Sequence, residues 1–253
     1  LEKNHAFEKA YAALYHNLRV GSIPPGTRIQ AADLVSQLKI SATPVREALS
    51  RLAGQGLLID RPAIGYFVPA IDPVDLQHCY ALASMLALSA CRNFDLTWPE
   101  KAADQDGPSR EYQGAGELLR SIAFLTPNTA LQHVASYLDD RLARLIPVEM
   151  ALFHQADASH GTLRDWLEAG NRRLCTDNIR RFYTRRINSV LEIASVEDGR
   201  VKAGIIYFEY ALSSAPVCSL MRLPHSGDPP KEAAMKKETR SKLIRLGSIR
   251  HDT

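Results

Sequence analysis

The sequence predicts a mainly α protein in two parts: an N-terminal helix-turn-helix with a small β-hairpin wing, then an all-helical bundle. Three observations carry this reading. Residues 41–57, SATPVREALSRLAGQGL, place Val45, Ala48, Leu49 and Leu52 at i, i+3, i+4 and i+7, one buried face of a helix. A second helical pattern over 29–40 (Ala31, Leu34, Val35, Leu38) ends two or three residues earlier, the connection length of a helix-turn-helix. Apolar runs at 57–60 and 66–69 flank Arg61-Pro62-Ala63-Ile64-Gly65 and read as two strands joined by a tight basic loop.

The elements follow in order. Residues 5–20 form a first helix, with Phe7, Ala10, Tyr11, Leu14 and Leu18 on one face, ended by Gly21 and Pro24-Pro25. Thr27-Arg28-Ile29 supplies a short third strand. In the 41–57 helix, Pro44 sits in the first turn, where its missing N–H has no partner to lose. Ser41 and Thr43 are both acceptable N-caps, and Gly56 ends the helix as a left-handed residue would. Asp72 caps a new helix with Pro73 at its first position, which continues to about residue 93. Leu76, Tyr80, Ala83, Ala87 and Ala90 make one stripe of it, and nearly every other position from Cys79 to Cys91 is also apolar. A helix so apolar is expected to pack against both its own domain and a second subunit. Residues 94–112 read as a loop or short helix, and 112–124, 128–152, 158–169 and 172–195 as helices. Residues 203–212 have strand-like composition, and the chain beyond Pro224 reads as a disordered basic tail. The expected domains are therefore 1–71, 72–197 and 198–253.

Charge is unevenly spread. Residues 1–70 carry 8 Lys/Arg against 5 Asp/Glu, residues 71–199 carry 13 against 18, and residues 200–253 carry 10 against 5. A basic head on an acidic body fits a nucleic-acid-binding module joined to a part that does not bind nucleic acid. Cys79, Cys91, Cys175 and Cys218 show no C-x-x-C spacing, so reduced, mostly core thiols in a cytoplasmic protein are expected. No apolar stretch is long enough for a membrane span, and no secretory leader is expected. A nucleophile elbow, H-E-x-x-H, a P-loop and a dinucleotide glycine motif are all missing, so no catalytic residue, metal or cofactor is expected.

Ser41-Ala42-Thr43-Pro44-Val45-Arg46-Glu47-Ala48-Leu49, followed by Arg51-Leu52 and Gly56-Leu57, resembles the signature of the GntR family of bacterial transcription regulators, in the branch related to the fatty-acid regulator FadR. Pro25-Gly26-Thr27-Arg28-Ile29 and Gly65-Tyr66-Phe67-Val68 match the same pattern. The resemblance implies a second helix entering the DNA major groove with its N-terminal residues on base edges. Arg46 and Thr43 would contact bases or phosphates, Ser41 would hold the helix start against a phosphate, and Arg28, Lys39 and Ser50 would add contacts. Gly65 would let the wing approach the minor groove. Ala42 departs from the family, which usually has an arginine there.

For the body, Thr126-Pro127-Asn128, His160 and Gly170-Asn171 align by spacing with the family's helical effector domain, called FCD. That domain often holds a metal through an aspartate and three histidines. Here those positions fall on Ala115, Leu119, His160 and Phe182, so the metal site is expected to be absent. The candidate effector contacts are His160 and Arg180. Arg180 belongs to a cluster with Arg172, Arg173, Arg181, Arg185 and Arg186, read either as a solvated face pairing with acids or as an anion-capturing site. The resemblance thus implies a homodimeric repressor of a metabolic operon, bound to a near-palindromic operator in double-stranded DNA and responding to a small effector such as a carboxylate. A winged-helix protein-interaction module, and a regulator that has lost effector response, stand beside it as alternatives.

Overall fold

The computed structural model describes residues 2–94, 96 and 114–202. Its first part is a three-helix unit with a wing. α1 (Glu2–Arg19) packs across α3 (Ala42–Gly54), with α2 (Ala31–Leu38) beside them. The apolar spacing explains the packing: Ala10, Leu14, Leu18, Leu34, Val45, Ala48, Leu49 and Leu52 are all buried. Lys39 ends α2 in the left-handed region at φ 53°, and Ser41 occupies the N-cap of α3 in extended conformation. At the other end of α3, Gly56 has φ +74°; its N–H donates to Ala53 O at 2.9 Å and Leu57 N–H donates to Leu52 O at 3.0 Å. This paired closure needs a residue that tolerates positive φ, which the glycine supplies. β1 (Arg28–Ile29), β2 (Ile59–Arg61) and β3 (Gly65–Phe67) form an antiparallel sheet in the order β1-β3-β2, with Arg28 opposite Phe67 and Arg61 opposite Gly65.

The second part is helical. Asp72 accepts a hydrogen bond from Val74 N–H, and Pro73 opens α4 (Pro73–Asn93). The helices α5 (Ala115–Phe124), α6 (Thr129–Leu142), α7 (Ile146–Ala158), α8 (Leu163–Glu168), α9 (Arg172–Asn188) and α10 (Val190–Lys202) follow. Two expected helices are each divided. The 128–152 helix breaks at a 3-10 turn, Ala143–Leu145, because Pro147 has no N–H to continue the ladder and so sits in the first turn of α7. The 172–195 helix breaks at Ser189 (φ −110°, ψ 17°), and α10 runs past residue 197 to Lys202. The 158–169 helix is shorter, because Gly161 turns at φ +73° and Thr162 opens α8 with a reciprocal capping box to Asp165. The expected loop at 94–112, the strand-like 203–212 and the tail fall almost wholly outside the described residues. Among the described residues, no helix is long and apolar enough to cross a membrane.

The α4 stripe of Leu76, Tyr80, Ala83, Ala87 and Ala90 is buried in the bundle with Leu118, Leu119, Ile122, Leu138, Ile179 and Tyr183. Its opposite face carries Val74, Leu82 and Met85, which are 56%, 42% and 68% exposed in the single chain.

α1 is tied to both parts. Phe7, Tyr11 and Tyr15 stack along it with centroids 5.9 and 5.6 Å apart, and the Arg51 guanidinium from α3 lies over Phe7 and Tyr11. At its last turn, Arg19 pairs with Asp139 at 3.0 Å and with Asp140, while Tyr15 O–H donates to Asp140 at 2.5 Å. Burial pushes the Asp139 carboxyl up even though Arg19 opposes it, and among the described residues Asp139 Oδ1 has no hydrogen-bond partner.

Candidate nucleic-acid interface

The buried side of α3 fixes which residues face outward. With Val45, Ala48, Leu49 and Leu52 in the core, Ser41, Ala42, Thr43, Arg46, Glu47 and Ser50 are exposed along the other side. The Ser41 hydroxyl makes no capping hydrogen bond to the helix, so the first N–H groups of α3 and this hydroxyl point the same chemistry outward: donors for an anion. Arg46, one turn on, adds a planar guanidinium able to bridge two acceptors of a guanine or a phosphate. Ala42 contributes only a methyl group at the start of this face. Lys39, exposed in the turn, keeps a left-handed backbone that costs a non-glycine residue about 1–2 kcal/mol.

The wing flanks this face. Ile64 N–H donates to Arg61 O at 2.9 Å, closing a turn with Pro62 and left-handed Ala63 (φ 62°) at its tip. Gly65 lies at the base of the turn, not its tip. Its φ is +126°, and an added Cβ would meet Arg28 Nε at 3.4 Å. That is ordinary contact with the end of a movable side chain, so it is the positive φ, which L side chains rarely adopt, that calls for glycine here. Arg61, which the sequence reading did not single out, is exposed and stacks 4.7 Å above the Phe67 ring. Its position opening the basic loop was the available signal.

The proposed effector residues do not come together. Arg180 is exposed and pairs with Asp177 at 2.8 Å. His160 sits in the turn before α8, its Nδ1 2.7 Å from Ser159 Oγ and its carbonyl accepting from Trp166 Nε1 at 2.6 Å. Ala115, Leu119 and Phe182 are core residues. What enters the bundle is Arg186, 1% exposed, whose Nε donates to Glu149 Oε2 at 2.6 Å and Nη2 to Asp157 Oδ2 at 2.8 Å. Glu149 is wholly buried and also accepts from Tyr80 O–H at 2.7 Å and Ala115 N–H at 2.9 Å. Phe182 and Phe153 cover the guanidinium at 3.4 and 4.9 Å from their centroids. Burial alone would lower the Arg186 guanidinium, but Glu149 and Asp157 outweigh it and hold the charge. Burial, then the Glu149 charge, drives the Tyr80 hydroxyl well above its ordinary range.

A three-helix unit with a wing, its outer helix presenting donors on an exposed face, is a winged helix-turn-helix DNA-binding domain. Residues 6–68 match the family of bacterial regulatory proteins called gntR. The Nta operon transcriptional regulator of Aminobacter aminovorans is 41% identical over 68 residues, which cover 27% of this chain and 32% of that protein. McbR of Escherichia coli is 38% identical over 77 residues, covering 30% and 35%. A longer similarity, 26% over 200 residues and covering 73% and 87%, is to the "Probable D-xylose utilization operon transcriptional repressor" of Paenarthrobacter nicotinovorans. The chain spans only about a third to under half of the first relatives it matches, at 32%, 45% and 35% of their lengths. The solved structure of E. coli McbR/YncC shares the fold at a TM-score of 0.54 and 22% identity, covering 74% of this chain and 97% of that one.

Proposed function

We propose that this protein is a sequence-specific DNA-binding transcription regulator that works as a homodimer. The observation that carries the reading is the exposed face of α3, with Ser41, Thr43, Arg46 and Ser50 on the side opposite a fully buried apolar stripe. Arg28, Lys39 and Gly65 support it from the strand, turn and wing. A dimer is supported by the uncovered Val74, Leu82 and Met85 on α4, apolar groups that a second copy would remove from water. Two heads on one symmetry axis would read two half-sites of a near-palindromic operator. Repression of a metabolic operon is the matching role, and the helical body is assigned to the FCD type of the FadR-related branch.

A specific observation favours a second reading of the body. In place of an open anion site, the bundle interior holds Arg186 already paired with Glu149 and Asp157. The regulator would then not be released by a carboxylate bound at that point.

The test is binding of the purified protein to the DNA upstream of its own gene, titrated at several salt concentrations and repeated with Arg46→Ala. Tight site-specific binding that weakens steeply with salt is expected. Loss of Arg46 should weaken it by about 1–3 kcal/mol, roughly 5- to 150-fold. Equal, weak binding to all sequences would overturn the reading in favour of a protein-interaction module.

A further inference from the structure

Two of the cysteines that are far apart in sequence meet inside the bundle. Cys91 in the last turn of α4 and Cys175 in the first turn of α9 are each 2% exposed, with their sulfurs 3.6 Å apart. A cavity of about 170 Å³ lies against them, with both cysteines, Trp166, Asn171 and Arg172 in its wall. That is ample for a molecule the size of water or hydrogen peroxide. We propose that Cys91 and Cys175 form a peroxide-oxidisable dithiol that closes to a disulfide joining α4 to α9.

The two sulfurs are electrically unlike. Cys175 sits at the positive end of α9, where a thiolate is favoured, whereas Cys91 sits at the negative end of α4. The hydrogen bond between them raises the Cys91 thiol, burial adding to this, and lowers that of Cys175. Cys175 is therefore the attacking sulfur. Its thiolate breaks the peroxide O–O bond, forming a sulfenic acid and releasing hydroxide, which is protonated to water. The Cys91 sulfur then attacks the sulfenic sulfur, and its proton leaves with the displaced hydroxyl as a second water. Two thiols are oxidised and one peroxide is reduced to two waters. The sulfurs must approach to about 2.05 Å, within reach of side-chain rotation and a small shift.

Cys79 provides the internal comparison. It is half-buried, and so more accessible, but burial pushes its thiol up. The full chain is treated with hydrogen peroxide, its free thiols are alkylated, and the cysteine peptides are mapped by mass spectrometry. The expected result is a Cys91–Cys175 linked peptide, lighter by two hydrogens and reversed by dithiothreitol, formed at least tenfold faster than Cys79 is lost. In Cys91→Ala, dimedone should trap a sulfenic acid on Cys175 with no crosslink. Prior loss of Cys79 with Cys91 and Cys175 still free, or over-oxidation of Cys175 without a crosslink in the unmodified chain, overturns the proposal. The mapping on the unmodified chain decides the matter even if the variant does not fold.

Discussion

Replacing Arg186 with methionine removes the cation from the centre of the bundle and keeps much of its apolar stem. Glu149 is then left with the hydrogen bonds from Tyr80 and Ala115 but without an opposite charge, and it has no exposed surface through which to hydrate. Breaking one side of a buried pair in this way costs about 3–5 kcal/mol. For a chain of this size each kcal/mol lowers Tm by about 2–4 °C, so a drop of about 6–20 °C is expected at neutral pH. The loss should depend on pH. A carboxylate stranded in a low-dielectric interior takes up a proton in the folded state more readily than when unfolded. The folded variant then binds more protons than the unfolded one, so its stability is greatest below the ordinary glutamate range and falls as pH rises. Arg186→Met should therefore recover part of its lost Tm between pH 7.5 and pH 5. Adding Glu149→Gln should restore part of it and remove the pH dependence, because the neutral amide carries no stranded charge and its oxygen still accepts from the buried donors that Glu149 serves. Thermal melts of the parent and both variants, followed by far-UV circular dichroism, test this. A single variant within about 2 °C of the parent at neutral pH, or one whose deficit does not change with pH, would refute the assignment of the network as the ionic centre of the core.

Other consequences can be measured with the same tools. Gly116→Ala should destabilise by about 1–3 kcal/mol through overpacking, because the new Cβ would stand 2.5 Å from Asp139 Cα. Alanine's better helix propensity predicts the opposite sign, so a thermal melt separates the two arguments. Arg19→Ala removes charge-assisted hydrogen bonds to Asp139 and Asp140 and should cost about 1.5–3 kcal/mol, read by urea denaturation. It should also speed limited proteolysis of the 69–72 linker, whereas Lys9→Ala should leave that rate unchanged.

The helix-turn-helix was legible because its signals are local and agree. The stripe on α3, the proline at 44 and the glycine at 56 each act over one or two turns, and no distant contact overrides them. Within the body the cap at Asp72 was equally readable, since an Asp side chain bonds the N–H two residues ahead, whereas the Asn128 cap emerged only in the structure. Pro147 was a readable break that the apolar run around it concealed, and Ser189 breaks the last long helix without a glycine or proline to announce it. The ionic centre was concealed differently. Arg186 stands in an arginine-rich stretch that looks like surface, yet it continues the buried stripe Cys175, Ile179, Phe182 and Tyr183. Its partner lies 37 residues away on another helix, a pairing that local periodicity does not encode. The Cys91–Cys175 pair, separated by 84 residues, was hidden for the same reason.

The tyrosine ladder on α1 has a mechanical meaning. One helix is clamped to the body at Arg19 and grips α3 through Phe7 and Tyr11, about 12 to 18 Å further along its axis. A tilt of only about 5° at the clamp would sweep the gripped residues through roughly 1 to 1.6 Å, on the scale that makes or breaks a hydrogen bond. Small displacements around Asp139 and Asp140 would in this way arrive enlarged at the exposed face of α3, with α1 as the lever arm.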